Sequence, residues 1–304
     1  MKIKKILIFS VWNWVTATKQ NSFTCGKYLN GRITDLKLIN ESVEQSLLLV
    51  SSASGNVCIF KNHPKEEKLV TAFRAVPEAI SYQQGPGIIT AWQQNTKTLF
   101  CGGEIEFIRI WDIEREFCVK VLPTYCDTSV TSMSCSKLSG NLCYVGCGDG
   151  SILLIDQRIG EQHHSVVSNV KEHQNWIVNL KTPKKIENTL ISGSGDGIIK
   201  FWDIRKPEKS YQEFQSQKGS MSALAIHDYA SLIATGSSNQ HIKLFNFNGD
   251  NLSTIYYHDG FLSQRIGPIS ALGFHPYKLC LAAGATDSIV SLYTNDKKMK
   301  GKIF

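Results

Sequence analysis

His173, Ser192 and Asp196 are of the three residue types that hydrolases combine in a catalytic triad. Buried polar groups of the same types can instead satisfy one another's hydrogen bonds and tie a loop to a turn. Trp202 follows them, and only parts of this set recur at the equivalent positions of other repeats, such as Asp149 without a tryptophan. We therefore expect them to form a structural network, and we predict no catalytic residues.

Two glycine-rich runs could be taken for phosphate-binding loops. Gly193-Ser194-Gly195-Asp196-Gly197 has a counterpart in Gly146-Cys147-Gly148-Asp149-Gly150. A phosphate loop precedes a helix and carries a Lys-Ser or Lys-Thr pair. Each of these runs precedes a segment with the pattern of a β-strand, so both are predicted to be tight turns of the kind that hairpins require.

Nine cysteines are scattered through the chain, most of them in apolar runs. Cys143 and Cys147 form a lone C-x-x-x-C with no second pair to complete a zinc site. A free cysteine in an apolar run packs as a small hydrophobic residue. We therefore expect no metal, no cofactor and a reducing, intracellular compartment.

Seven short strands end in an aromatic or aliphatic residue followed by a polar one. Their final residues are Asn13, Lys61, Asp112, Asp156, Asp203, Asn246 and Thr294. The gaps are 48, 51, 44, 47, 43 and 48 residues, close to the roughly 40–45 residues of a WD-propeller blade. This period predicts a repeat protein built from one recurring unit.

One unit shows the order of elements that the others repeat. Trp176–Lys181, Leu190–Ser194, Ile198–Asp203 and Tyr211–Gln215 have the pattern of four consecutive strands, with the turn at residues 195–197 between the second and third. No segment longer than a turn has helical periodicity. The predicted fold is all-β, a WD40-type β-propeller whose radial sheets leave only short edges.

The start of the chain departs from the repeat. Trp12-Asn13 ends a third strand and a fourth is expected near Ser22–Cys25, with no sequence ahead for the first two. We therefore expect a partial blade at residues 1–31 and six complete four-stranded blades at 32–304, in a single propeller that is seven-bladed in an intact parent. Lys2, Lys4 and Lys5 before an apolar run mimic a signal peptide, but the run itself fits the repeat.

The formal charge of +7 comes mainly from lysines, four of them at positions 297, 298, 300 and 302. Such an excess could favour an acidic partner, but we expect solvated surface charges. The basic residues form no stripe with interleaved aromatics, so we predict no nucleic-acid binding. No apolar run reaches the 18 residues of a membrane span.

His173, Ser192, Asp196 and Trp202 resemble the buried His–Ser–Asp–Trp hydrogen-bond network of WD repeats. A more specific resemblance lies further along the chain, where Tyr257-His258-Asp259-Gly260-Phe261, Gln264-Arg265-Ile266-Gly267 and Phe274-His275-Pro276 are similar to the last blade of the Raptor family. That resemblance covers essentially the whole chain in order. It is strongest at residues 219–294 and weakest at 62–90.

The resemblance implies a non-catalytic scaffold propeller of TOR complex 1, which supports protein–protein contacts in nutrient and growth signalling. It implies TOR kinase complex subunits and regulators as partners, no small-molecule substrate, and a cytoplasmic location with recruitment to lysosomal or vacuolar membranes through partners. The family's caspase-like domain and helical solenoid have no counterpart in this sequence, which would represent the C-terminal propeller.

Two other functions stay open from the sequence. One is a generic WD-repeat adaptor, such as a substrate receptor of a ubiquitin ligase or a trafficking scaffold. The other is an enzyme built on a propeller, which would need converging carboxylates, a metal cluster or a nucleophile with a base. No such set occurs outside the repeat positions.

The connection from His258 to Gly267 is the candidate partner-binding loop. Asp259, Phe261, Gln264 and Arg265 are its candidate residues. In one interpretation Phe261 fills a gap between blades while Arg265 pairs with Asp259 and braces the loop. In the other, Phe261 and Arg265 anchor a partner, since aromatic residues and arginine are the usual hot-spot residues of interfaces.

Overall fold

A computed structural model describes residues 8–13, 15–16, 18–24, 29, 31–39, 47–61, 68–79, 87–136, 140–159, 166–219, 221–257, 264–294 and 302–303. Every regular element in these ranges is a β-strand. The chain divides into two compact units, one of residues 1–147 with 153–167 and the other of residues 148–152 with 168–304.

The strands form one two-stranded hairpin and six four-stranded antiparallel sheets, each from strands consecutive in sequence. The hairpin is β1 Ile8–Asn13 and β2 Thr18–Thr24. Blade 1 is β3 Ile33–Ile39, β4 Leu47–Ser52, β5 Asn56–Lys61 and β6 Lys68–Arg74; blade 2 is β7 Ile89–Gln93, β8 Thr98–Gly102, β9 Phe107–Asp112 and β10 Phe117–Pro123; blade 3 is β11 Val130–Cys135, β12 Leu142–Cys147, β13 Ser151–Asp156 and β14 Val166–Lys171.

The other three blades have the same order. Blade 4 is β15 Ile177–Lys181, β16 Thr189–Ser194, β17 Ile198–Asp203 and β18 Lys206–Gln215; blade 5 is β19 Met221–Ile226, β20 Ile233–Ser237, β21 His241–Phe245 and β22 Asn251–Ile255; blade 6 is β23 Ile269–Phe274, β24 Cys280–Ala285, β25 Val290–Thr294 and β26 Lys302–Ile303. This confirms the predicted all-β fold with six complete blades and a partial one.

The seven segments that carry the repeat period occupy equivalent positions. Six of them are the third strands of blades 1 to 6, and the segment ending at Asn13 is β1, which pairs with the following strand. In blades 1, 3 and 4 their apolar residues are buried on both sides of the sheet: β5, for example, buries Val57, Cys58, Ile59 and Phe60 completely. Strands buried on both faces have near-continuous apolar runs, which is why these segments stood out in the sequence.

The apolar core is divided into clusters that each join neighbouring blades of one unit. In the first unit, Ile59 of blade 1 and Leu99 of blade 2 share a cluster, and Phe100 of blade 2 shares the next with Val145 of blade 3. In the second unit, Phe201 of blade 4 packs with residues of blade 5. A further cluster joins blades 5 and 6. Within each unit, neighbouring blades therefore bury apolar residues against one another.

Side chains of first strands add hydrogen bonds between neighbouring blades. The Asn179 amide and the Lys181 ammonium of β15 donate to the carbonyl oxygens of Leu224 and Ile226 on β19, each at 2.9 Å. Ser222 of β19 donates in turn to the carbonyl oxygen of Ile269 on β23 at 2.5 Å. These bonds satisfy backbone acceptors on inner strands, which have no further strand beside them in their own sheet.

The first strand is also bulged at a repeated position. In blades 1, 3, 4, 5 and 6 its register against the second strand shifts by one residue near the start, at Thr34, Thr131, Val178, Ser222 and Ser270. A bulge bends a strand and increases its local twist. The recurrence at one position gives the five first strands the same local shape.

Gly197 in the turn between β16 and β17 gives a test of the repeat geometry. Its φ is +90°, and an added Cβ would lie 2.1 Å from the Gln217 carbonyl oxygen. We expect Gly197→Ala to lower the free energy of unfolding by at least about 2 kcal/mol, because both the conformation and the contact are unfavourable. The measurement is chemical denaturation.

Gly219 provides the matched control for this substitution. Its φ is +64°, but no atom lies within 4 Å of an added Cβ, so Gly219→Ala carries only the cost of a left-handed residue, about 1 kcal/mol. Equal losses for the two variants would contradict the described turn.

Candidate functional site

The aromatic, histidine and serine side chains singled out in blade 4 meet in the core. The Trp202 indole N–H donates to the Ser192 hydroxyl oxygen at 2.8 Å. His173 Nε2 lies 2.8 Å from the same hydroxyl. All three residues are at most 2% exposed, so the hydroxyl links the segment before β15 to the second and third strands of the blade.

Asp196 does not join this network, contrary to the sequence prediction. Its carboxylate accepts hydrogen bonds from the Ser194 hydroxyl and from the backbone N–H of Ile198 at 3.2 Å. These two contacts close the tight turn at residues 195–197 and use the carboxylate locally. His173 Nδ1 has no hydrogen-bond partner, so histidine, serine and carboxylate are not assembled into a triad.

The His173 ring is held neutral by its surroundings. Burial lowers its pKa from 6.5 to about 4, and the positive charge of Lys200 acts in the same direction. Lys200 forms ion pairs with Glu172 at 3.0 Å and with Glu213 at 2.8 Å. Glu172 also accepts the Ser210 hydroxyl at 2.7 Å, so the residue before His173 is tied to the outer strand β18.

This ion-pair cluster was not predicted from the sequence. Lys200 lies inside the apolar third strand β17 and is nearly buried. A lysine within a run that is otherwise apolar was the available signal, since buried charges require partners. The cluster and the His173 contact together hold the segment before β15 against blade 4.

The candidate partner-binding loop is described at its two ends. Tyr257 and Arg265 form an isolated antiparallel bridge, and the Ile266 N–H donates to the Tyr256 carbonyl oxygen at 3.0 Å. Asp259 and Phe261 lie outside the described residues, so the predicted pairing of Arg265 with Asp259 stays a prediction.

The loop begins and ends on a rigid base. Ile266 is buried in the cluster between blades 5 and 6. Gly267 lies so close to the Asp287 carboxylate that an added Cβ would be 2.4 Å from it. Arg265 Nη2 lies 3.5 Å from the Asn239 carbonyl oxygen in the neighbouring turn of blade 5. The two ends are therefore fixed against blades 5 and 6.

Exposed residues of the loop form a polar and aromatic surface. Gln264 and Arg265 are both exposed. Tyr256 and Tyr257 are also exposed, and the Tyr256 ring lies 5.8 Å from that of His241. Tyrosine and arginine on a fixed base are typical of interface hot spots. Tyr257 lies in the run that resembles the Raptor family, but neither tyrosine was assigned a role from the sequence.

The described ranges offer no support for a metal site, a reactive cysteine pair or a membrane-spanning helix. Among them there is no group of three or more His, Cys, Asp or Glu residues that could hold a metal ion. Cys143 and Cys147 are both buried on β12. A hydrogen bond with Cys135, together with burial, raises the pKa of the Cys143 thiol well above its ordinary value. In the same ranges no helix could cross a membrane.

Comparisons with known proteins agree with this architecture. The family model described as WD domain, G-beta repeat matches residues 163–203 and 208–246. A solved structure described as the crystal structure of Chaetomium thermophilum Raptor matches with a TM-score of 0.85 at 29% sequence identity, over 95% of this chain and 26% of that one. The chain is therefore a WD-repeat β-propeller.

Its relatives are more specific. A protein raptor homolog of Dictyostelium discoideum is 38% identical over 97% of this chain and 20% of the relative. The target of rapamycin complex 1 subunit mip1 of Schizosaccharomyces pombe is 33% identical over 84% of this chain and 19% of the relative. The chain is a propeller of the Raptor family, and it spans about a fifth of the length of these relatives.

The depressed pKa of His173 predicts a pH dependence of stability. Below about pH 6.5 the unfolded chain binds a proton at this position, whereas the folded chain binds it only near pH 4. Stability should therefore fall by about 2–3 kcal/mol as the pH drops from 7 to 4. The measurement is the free energy of unfolding by denaturant at a series of pH values.

His173→Gln isolates this contribution, because every other titrating group stays in place. We expect the variant to be less stable at pH 7 and to lose less stability on acidification than the parent. Parallel pH profiles for the two proteins would contradict a buried neutral histidine.

Proposed function

We propose that this chain is the non-catalytic, protein-binding propeller of a Raptor-like subunit of TOR complex 1. The supporting observation is the match to Raptor-family proteins along nearly the whole chain, including a relative named as a subunit of that complex. The propeller would provide a rigid support for loops that contact other proteins. TOR kinase complex subunits and regulators would be its partners.

The proposed role includes no catalytic site. The histidine and serine that could suggest a hydrolase are buried and bonded to Trp202. Asp196 is used by its own turn. A substrate could not reach Ser192, which is fully buried. This arrangement favours a structural role for the network and a binding role for the exposed loops.

The candidate loop is the proposed contact surface in blades 5 and 6. Tyr257, Gln264 and Arg265 are exposed beside the fixed stem, and Asp259 and Phe261 belong to the same connection. Because partners are proteins in this reading, we propose no nucleic-acid or small-molecule ligand. A cytoplasmic location, with recruitment to lysosomal or vacuolar membranes through partners, belongs to the same proposal.

The generic adaptor is the weaker alternative. WD repeats alone are compatible with a ubiquitin-ligase receptor or a trafficking scaffold, because the fold does not determine the partner. The relatives named for Raptor and for TOR complex 1 extend over far more of the chain than the two matched WD repeats do. This coverage favours the TOR complex.

Affinity purification from the native cells tests the proposal. We expect the tagged chain to recover TOR kinase and its complex subunits, identified by mass spectrometry. Phe261→Ala combined with Arg265→Ala should reduce that recovery at least about fivefold at an unchanged melting temperature, because the hot-spot residues of an interface contribute to binding and little to folding.

Lys206→Ala combined with Lys209→Ala on the outer strand β18 is the control, since both lysines are exposed there. Recovery of other proteins with no TOR subunit would contradict the proposed function. A loss of binding that only follows a loss of stability would show that the candidate loop is a brace and that partners bind elsewhere.

A further inference from the structure

A second exposed aromatic surface lies at the other end of the strands. The loops between first and second strands of blades 4, 5 and 6 bring Lys184, Tyr229 and Tyr277 next to one another. The candidate loop follows a fourth strand. Because successive strands of a blade are antiparallel, first-to-second loops leave the blade at the opposite end. This surface is therefore separate from the candidate loop.

The two tyrosine rings are stacked and open to solvent. Their centroids are 5.6 Å apart with an interplanar angle of 22°. Tyr229 is 46% exposed and Tyr277 is 65% exposed. Exposing two large aromatic rings to water does not stabilise the fold. Exposed apolar clusters of this kind mark interaction sites. Leu279, also exposed, lies two residues beyond Tyr277.

Lys184 meets Tyr229 at its hydroxyl end. Its Nζ donates to the hydroxyl oxygen at 2.9 Å and lies 5.0 Å from the ring centroid. These two distances place the ammonium beside the hydroxyl group and not above the centre of the ring. Since the hydroxyl accepts from Lys184, its own proton is directed away from the lysine and can be donated to an incoming acceptor.

Hydrogen bonds fix both tyrosines before any partner arrives. In blade 5 the backbone N–H of Tyr229 donates to His227 Nδ1 at 3.0 Å. In blade 6 the N–H groups of Tyr277 and Lys278 donate to His275 Nδ1, each at 3.1 Å. The same turn thus presents a tyrosine in both loops. Such preorganisation reduces the entropic cost of binding.

The charge of this surface is positive. Lys184 and Lys185 are exposed in the loop of blade 4, and Lys278 is exposed in the loop of blade 6. The Asp228 carboxylate is engaged by Lys181 at 3.2 Å, which leaves Glu187 as the other acidic residue of these loops. An anionic ligand is therefore favoured, and the exposed ring and Leu279 favour one that also carries an apolar group.

We propose that Lys184, Tyr229, Tyr277, Lys278 and Leu279, which we call the tyrosine ladder, bind an extended acidic peptide segment of a partner protein. Carboxylates of the peptide contact the two lysines and the Tyr229 hydroxyl, and an apolar side chain packs on Tyr277 and Leu279. The inference rests on the proposed protein-binding role of the propeller, but it does not depend on the TOR complex.

A defined peptide tests this directly on the 304-residue chain. The probe is a fluorescein-labelled dodecapeptide that alternates Glu and Ser around two central Leu residues, with a matched peptide carrying Gln for Glu. Fluorescence polarisation should show binding of the acidic peptide, weakened by salt, and at least about tenfold weaker binding of the Gln peptide.

Two variants locate the binding site. Tyr277→Ala should weaken binding about tenfold, the scale of an aromatic hot spot, with an unchanged melting temperature because the ring is exposed. Lys184→Glu combined with Lys278→Glu should abolish binding. Lys206→Glu combined with Lys209→Glu makes the same change in net charge on β18 and should leave binding intact.

Two results with the peptide and one with RNA would contradict binding of an acidic peptide at the tyrosine ladder. No binding of the acidic peptide to the parent chain, or equal loss in the β18 control, would overturn the proposal. So would a labelled twelve-nucleotide single-stranded RNA that binds more tightly than the peptide and is lost in Tyr277→Ala. Because the probe is synthetic, any of these failures leaves the recovery of TOR subunits to decide the proposed function separately.

Discussion

The structure depends on the burial of apolar sheet faces between adjoining blades of the same unit. An isolated sheet of four short strands exposes two faces, and its apolar residues would remain in water. Phe60 of blade 1, Phe100 of blade 2 and Phe201 of blade 4 are each almost completely buried. Their clusters include residues of the adjoining blade or hairpin. As in other repeat proteins, stability therefore comes from interfaces between units as much as from the units themselves.

Polar side chains also stabilise the contacts between neighbouring blades. First strands have no further strand on their inner side, and side chains such as Asn179 and Ser222 donate to the carbonyl groups of the next blade. Blade 4 adds an internal network in which Ser192 links His173 to Trp202. These contacts leave the loops at the strand ends available for binding, and the proposed functions lie there.

The repeat was readable from the sequence because the third strands of blades 1, 3 and 4 are buried on both faces and are therefore nearly continuous in apolar residues. Strand ends were harder to predict. β18 begins at Lys206, five residues before the predicted Tyr211, because residues 206–210 contain no large apolar side chain to mark a strand. Asp196 was misplaced, since a carboxylate in a tight turn can bond its own turn or a distant histidine. The tyrosine ladder could not have been found, as its members are brought together only by three separate loops.

Hydrogen exchange followed by mass spectrometry tests the central claim, that neighbouring blades protect the interior of each sheet. The second and third strands of blades 4 and 5, β16, β17, β20 and β21, should exchange most slowly. The outer strands β18 and β22 should exchange at least about a hundredfold faster, since exposed hydrogen bonds open with a lower free energy. Equal protection of outer and central strands, or slowest exchange in the outer ones, would contradict the account.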